Sequence, residues 1–517
     1  MNLLTDPLVP VTTAQGQTFV NLPALLAGLG DDTVRRIDGL QRHQEDAFHV
    51  FLCYLAGAVL ARDGDWNPVR DEAFWRDGMR FLAGDAGDDA WRLVVDDLSR
   101  PAFMQPPLPK ADHGKLKLQA ETPDALDLLP TAKNHDLKQA RAARAQPHEW
   151  LYALVSLQTM SGYFGRGNPG IARMNSGFGN RPVVEVARSR EQAPRWRDVV
   201  LRLEAHRRQV LAGSLPFRDD GLVLVWLRFW DGKTSLSLSE LDPFFLEICR
   251  RVRLQGDGEQ ITQAAGLPSD ANRIAAKEQN GLVGDAWLPE DHSDKKGAKA
   301  LTVSADGWTA DRLRRLLFED GIRHTLLQKP APDWEGDVWL LASVLVRGQG
   351  TTDGFHERHL LIPAQVKRRL FAPKPQVDPL AALAKEAVEL AGLMQNRVLK
   401  PAVLVLAQGA PEKLAFDDDT TSAWWQRFAA RFGNRWSDEY FPWLWSLPDP
   451  LDRAEARLDW ARRLKAHAET VLHEAERILP QHTGRLWHAR VAARRAFNGA
   501  LYKHFPDLKE ARHERIA

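Results

Sequence analysis

Cysteine is nearly missing from this chain: 517 residues hold two, Cys53 and Cys249, each set in an apolar run, FLCYLAG and FLEICRR. Two thiols so far apart give no disulfide framework and no CxxC metal pair. A reducing, cytoplasmic setting with no structural metal is the expectation. Net charge is also missing, because 69 Lys and Arg offset 68 Asp and Glu to leave +1. A chain so balanced has no global attraction for a polyanion, so any nucleic-acid contact must come from local patches. Long apolar runs are scarce as well. The longest, Ala47 to Ala61, is broken by His49 and falls short of the roughly 20 residues a membrane span needs. The opening MNLLTDPLVPV has no basic stretch leading into an apolar one, which reads as no signal peptide and no membrane partner.

Patterns that carry catalysis are absent too. GRGNPG lacks the Lys-Ser/Thr of a phosphate-cradling loop and follows a predicted helix where a dinucleotide fingerprint follows a strand. His356-Glu357-Arg358-His359 places its histidines three apart, whereas a zinc helix needs four to bring both to one face. Asp417-Asp418-Asp419 leads straight into a predicted helix and is explained by capping. Neither cysteine has the electropositive, exposed surroundings of a reactive thiol. The expectation is a protein with no catalytic residues, no cofactor and no metal; a hydrolase using His356, Glu357 and His359 is the weakest reading.

What is present suggests an α+β fold: a mixed N-terminal domain with small sheets and helices over 1–374, followed by a C-terminal four-helix bundle over 375–517. A length of 517 residues exceeds one core and suggests two to four domains at about 150 residues each. The 18 tryptophans supply large rings for those cores. Residues 3–22 read as short strands around Ala14-Gln15-Gly16-Gln17. Helices are predicted over Asp46–Arg62, Asp71–Leu82, Trp150–Met160, Asp270–Asn280 and Asp306–Phe318, and buried strands over Gly221–Trp230 and Asp337–Val346. Past Pro373-Lys374-Pro375 the pattern turns wholly helical. Asp378 caps a helix with Pro379 in its first turn, Trp425, Phe428, Ala429 and Phe432 form the next face, and helices follow over Arg453–Leu479 and Arg485–Phe505.

One stretch stands apart. From Ser161 to Val184 the chain reads SGYFGRGNPGIARMNSGFGNRPVV, with Arg166, Arg173 and Arg181 set among glycines. Backbone without Cβ can approach a flat or polyanionic surface closely, and guanidinium groups suit phosphate. Readout of base edges in a minor groove fits such a loop. The segment 129–146 carries Lys133, Asn134, Lys138, Arg141 and Arg144 with almost nothing to bury, and reads as a flexible basic loop able to order on backbone phosphates. Ser293 to Lys299, with Lys295 and Lys296, reads as a basic turn.

Across essentially its whole length the chain resembles the large subunit (CasA) of the type I-E CRISPR Cascade complex. The residues that carry this are Met1-Asn2-Leu3-Leu4-Thr5-Asp6 with Val9-Pro10-Val11, Phe103-Met104-Gln105, the glycine stretch, Trp287 with His292-Ser293, His356-Glu357-Arg358, and Leu501-Tyr502-Lys503-His504, in that order. The resemblance implies a non-enzymatic subunit that reads the protospacer-adjacent motif of double-stranded DNA from the minor groove. It implies help in opening the duplex for R-loop formation and in recruiting a helicase-nuclease, with CRISPR RNA and other Cascade subunits as partners. By the same resemblance the motif-reading loop falls on Gly162, Phe164 and Gly165, and the groove-entering lysine on Lys277, with Lys295 or Lys296 as alternatives. The duplex-opening wedge falls on Gln349, Gly350, Thr351 and Thr352. Arg166, Arg173 and Arg181 are the candidate phosphate clamps, joined by Lys295 and Lys296. The alternative is a helical scaffold subunit that bridges other proteins without reading the motif.

Overall fold

A computed structural model describes residues 1–128, 145–175, 179–257, 259–347, 352–372, 378–416, 418–480 and 484–509. The chain divides into two compact units, Met1–Trp308 with Glu319–Lys367, and Thr309–Phe318 with Arg368–Ala517. The expected boundary at 374/375 thus lies a few residues beyond the observed division. A short helix from mid-sequence belongs to the second unit. The architecture is α+β, with small sheets in the N-terminal part and helices at the C-terminus.

In the first unit, β1 (Val9–Thr13) and β2 (Gly16–Val20) form the expected hairpin, with Thr13 opposite Gly16, and β3 (Val34–Ile37) pairs with the other edge of β1. The helix α1 (Leu22–Gly30) is capped by Asn21, whose side chain accepts from the Ala24 amide. The centre of this unit is α2 (Arg42–Asp63), buried along the whole run from Ala47 to Leu60. A helix apolar on every side belongs inside a core, which explains the long hydrophobic run without invoking a membrane. Among the described residues no helix is long and apolar enough to cross a bilayer. Next come α3 (Glu72–Ala83), β4 (Lys117–Ala120) and α4 (Pro147–Met160). The last is started by Pro147 and by a reciprocal cap between Gln146 and Glu149. Then follow β5 (Val183–Ala187) and α5 (Gln192–Leu211). The remaining strands that matter for the site are β6 (Arg251–Gly256) and β7 (Ile261–Leu267), which form a sheet with β4 in the order β4-β7-β6, and the hairpin β8 (Val338–Arg347) and β9 (Thr352–Ile362), whose β8 also pairs with β5.

Two sequence expectations fail here. Gly221–Trp230 is a strand only over Leu222–Leu224 and then turns through a 3-10 segment at Val225–Leu227. Residues 223–226 are all buried, and the turn lets the Trp226 indole donate to the Ala90 carbonyl at 3.0 Å, a bond that ends the strand early. Asp270–Asn280 is not a helix; it holds a two-residue strand, Ile274–Ala275, and a 3-10 turn, Lys277–Gln279. Its polar groups are bound elsewhere: Arg273 donates to the carbonyls of Arg228 and Phe229, and Asn272 to that of Gly170. Tertiary hydrogen bonds override a weak local preference.

The second unit contains the short helix Ala310–Leu317, capped by Thr309, and a helical bundle. Asp378 caps the helix Pro379–Leu393 by accepting from the Leu380 amide. Instead of ending, that helix passes through a π-helical turn, Met394–Leu399, into Lys400–Ala407. Pro401 has no N–H for the usual bond to a carbonyl one turn earlier, and a π-turn absorbs that mismatch. The helices Asp419–Trp445, Arg453–Ile478 and Leu486–His504 complete the four. The bundle core centres on Trp443 and Trp460, stacked at 4.4 Å between ring centroids. The Tyr440 hydroxyl and the Trp460 indole reach the first helix at the carbonyls of Ala384 (2.7 Å) and Ala387 (2.9 Å).

Candidate nucleic-acid interface

The glycine stretch begins where α4 ends. From Ser161 to Ile171 it doubles back on itself: the Ile171 amide donates to the Ser161 carbonyl at 3.0 Å, the Phe164 amide to Asn168 at 2.9 Å, and the Asn168 amide to Gly165 at 3.0 Å. Two glycines serve this shape for different reasons. Gly165 sits at the tip with φ +96° and open space where a Cβ would stand. Gly170 lies where the two legs touch, and a Cβ there would meet the Tyr163 nitrogen at 2.5 Å and the Gly162 carbonyl carbon at 2.6 Å.

The loop is fixed from below by residues that sequence reasoning missed. Buried Arg250 donates to the carbonyls of Gly162 (3.4 Å), Pro169 and Cys249. Buried Gln158 uses its whole amide: its nitrogen donates to Met104 and Arg250 carbonyls, and its oxygen accepts from the Cys249 and Arg250 amides. On the outer leg, the Ser269 amide donates to the Gly167 carbonyl at 2.9 Å. Gly162 is therefore interior, Phe164 half-buried, and Arg166 exposed beside the tip. The only sequence signal for the clamp was a pair of charged residues placed directly after an apolar run, Arg250 and Arg251 following Cys249.

Arg173 and Arg181 correct the sequence expectation. Both are buried, at 2% and 3% exposure, and face inward rather than toward a phosphate. Arg181 donates to Asp285 at 2.6 Å. Arg173 lies 3.5 Å from Glu247, donates to the Phe245 carbonyl at 3.2 Å, and stacks its guanidinium 3.8 Å above the Phe245 ring. Burial alone would raise the Asp285 carboxyl, but Arg181 and then Arg173 hold it below its ordinary value. At Glu247 burial dominates, and its carboxyl is pushed up to about 7. Glu247 also accepts from the Ala172 amide at the loop's exit. Desolvation, followed by the charge of Asp285, pushes the Tyr54 hydroxyl up to about 12. These two arginines hold the leg after the loop in the core, which leaves Arg166 as the exposed arginine of the three.

Lys277 is exposed at the start of its 3-10 turn. Gly281, four residues on, packs so closely against Met174 and Asn175 that an added Cβ would meet their backbone at 2.9 and 3.1 Å. Asn175 in turn donates to the Ala300 carbonyl at 3.2 Å, and the Ala300 amide donates to Asn280 at 2.9 Å. The short strand Lys299–Ala300 pairs with Glu290–Asp291, and Lys295 and Lys296 are exposed on the turn between these strands. Met174 and Asn175, which follow the glycine loop, thus touch both the turn that ends at Gly281 and the strand that follows the Lys295–Lys296 turn. Trp287 is fully buried and donates to Glu185 at 2.7 Å.

Thr352 opens β9 opposite Arg347. Gln349, Gly350 and Thr351 lie outside the described residues, as do Lys133, Asn134, Lys138, Arg141 and Arg144. His356, Glu357 and His359 lie on β9, where alternation sends His356 to one face and the other two to the opposite face. Glu357 is taken by Arg42 at 2.6 Å. Among the described residues no group of three His, Cys, Asp or Glu side chains is arranged to hold a metal ion.

No protein-family model matches this sequence, and no curated protein matches it. The α+β unit followed by a helical bundle is the fold of solved CRISPR-associated CasA/Cse1 structures. The structure of CasA from Thermus thermophilus matches over 97% of this chain and 99% of its own, with TM-score 0.65 at 15% identity. Thermobifida fusca Cse1 matches over 98% of each chain with TM-score 0.64 at 15% identity. The CRISPR-associated protein Cse1 of Acidimicrobium ferrooxidans matches over 98% of each with TM-score 0.61 at 16% identity.

Proposed function

We propose that this chain is the non-catalytic large subunit of a type I-E CRISPR RNA-guided surveillance complex, and that it recognises the protospacer-adjacent motif of double-stranded DNA from the minor groove. The observation that carries this reading is the loop Ser161–Ile171, a glycine-tipped projection clamped at its base, on a chain with the CasA/Cse1 fold. The minor groove is about 6 Å wide, and a backbone tip without Cβ is suited to entering it. Gly165 supplies that tip, Arg166 a phosphate contact beside it, and Lys277, with Lys295 and Lys296, the cationic support. Sequence beyond the motif is then read by base pairing with the guide RNA. The paired strands β8 and β9, with the segment Gln349 to Thr352 that follows β8 in sequence, are proposed as the wedge that opens the duplex at a cost of a few kcal/mol of unstacking. Recruitment of a helicase-nuclease completes the role.

The test is binding of the assembled complex to duplexes that differ only in the motif. Motif-bearing DNA should bind at least tenfold more tightly. Equal binding would leave the chain as a scaffold. Gln349→Ala should slow duplex opening, followed with a fluorescent base, more than it slows motif docking.

A further inference from the structure

Beside the glycine loop lies a cavity of about 370 Å³, within the range of small-ligand sites. Its charged side chains are all basic. Arg250 and Arg347 line it together with Lys117, and no carboxylate is found among its described lining residues, whereas two larger cavities among the described residues both mix basic and acidic groups. Arg347, the last residue of β8, is only 9% exposed. Among the described residues it has no ion pair, and its Nε has no hydrogen-bond partner. Burial lowers its pKa, Asp127 opposes that from beyond ion-pair distance, and the like charge of Arg250 adds to the lowering. The nearby Asp127 carboxylate is bound through Oδ2 to His43 and Gln44, and its Oδ1 is buried without a hydrogen-bond partner among the described residues, so it offsets the Arg347 charge only at a distance. The partners of the Arg250 guanidinium among the described residues are all carbonyls. A guanidinium buried without an anion is costly, and two beside one cavity amount to an unfilled demand for negative charge. The remaining walls are of another kind: the Phe164 ring, Pro268 and leucines offer flat apolar surface, and the Gln119 and Asn168 amides offer both donors and acceptors.

We infer that this cavity is a pocket for a single unpaired nucleotide, its phosphate held by Arg347 and Arg250 and its base laid against Phe164 and Pro268. Aromatic and apolar faces tolerate any base, while guanidinium forks suit phosphate. A free anion would have no use for the apolar walls, and an apolar ligand none for the arginines. The position, between the glycine loop and the end of strand β8, is where a nucleotide unstacked from a duplex held by that loop would arrive. The assignment of the nucleotide to DNA rests on the motif-reading proposal; the pocket's chemistry does not.

Two measurements separate them. With the full chain alone, calorimetric titration of a deoxynucleoside 5′-monophosphate should show saturable binding at least tenfold tighter than inorganic phosphate or the free nucleoside. Arg347→Met should lose that binding yet unfold at the same or a higher temperature, because it removes an unpaired buried charge. Phe164→Ala should weaken the nucleotide at least threefold and leave phosphate unchanged. No binding by the wild-type chain, equal binding of phosphate, or unchanged nucleotide binding in Arg347→Met would each overturn the pocket. With the assembled complex, 2-aminopurine at the first unpaired position of forked target DNA should be quenched by wild type and not by Arg347→Met. If the complex ignores the motif while the mononucleotide still binds, the motif-reading proposal falls and the pocket stands.

Discussion

Glu247 allows the buried network behind the glycine loop to be tested by pH. Its carboxyl is 2% exposed and shifted from an ordinary 4.5 to about 7, with desolvation as the leading cause. Between those values the folded chain binds a proton that the unfolded chain has released. Stability therefore falls as pH rises, being fully present below pH 4.5 and lost through pH 7. Each pH unit between them is worth about 1.4 kcal/mol, so ionising Glu247 costs the fold about 3 kcal/mol. Glu247→Gln keeps the shape and the acceptor for the Ala172 amide but cannot ionise. Urea unfolding followed by tryptophan fluorescence, at steps from about pH 4.5 to 8, should show the variant gaining about 3 kcal/mol on wild type across that interval. The comparison cancels every other titrating group. A difference that stays flat would refute the reasoning, because it would mean that Arg173, 3.5 Å away, keeps the carboxylate ionised throughout.

Gly170→Ala should cost about 1–3 kcal/mol by forcing the loop's legs apart, measured by urea unfolding, since the atoms a Cβ would strike are backbone; a neutral result would remove the tight base. Gly165→Asp should abolish discrimination of motif-bearing DNA in a binding assay, at a folding cost of only about 1–2 kcal/mol from its left-handed backbone; outright unfolding would make the loop structural. Lys277→Ala should weaken target binding and reduce the salt slope by about one, and an unchanged slope would move the groove contact to Lys295 or Lys296. Trp460→Ala should destabilise the bundle by about 3–5 kcal/mol in urea unfolding, through the lost stack on Trp443 and the lost bond to Ala387; a loss under about 1 kcal/mol would contradict that packing.

The parts of this chain visible in its sequence are those whose signals are local. Asp378 and Pro379 announce a helix start because a cap and its first turn are adjacent residues, and the bundle faces repeat within a few residues of themselves. The glycine loop was visible for the same reason, as composition. What its arginines do was not, because burial is decided by residues far along the chain: Arg173 meets Glu247, and Arg181 meets Asp285. Three arginines spaced among glycines look alike on paper, yet only Arg166 remains exposed. The clamp at Arg250 and the unpaired charge at Arg347 were hidden for the opposite reason, since each follows an apolar run and its neighbours give no hint of a cavity. A glycine-rich stretch can enter a groove only if something rigid stands behind it. Here that support is the clamp of Arg250 and Gln158, so a change at Gln158, buried beneath the loop, should loosen the loop before it alters a single contact made by its tip.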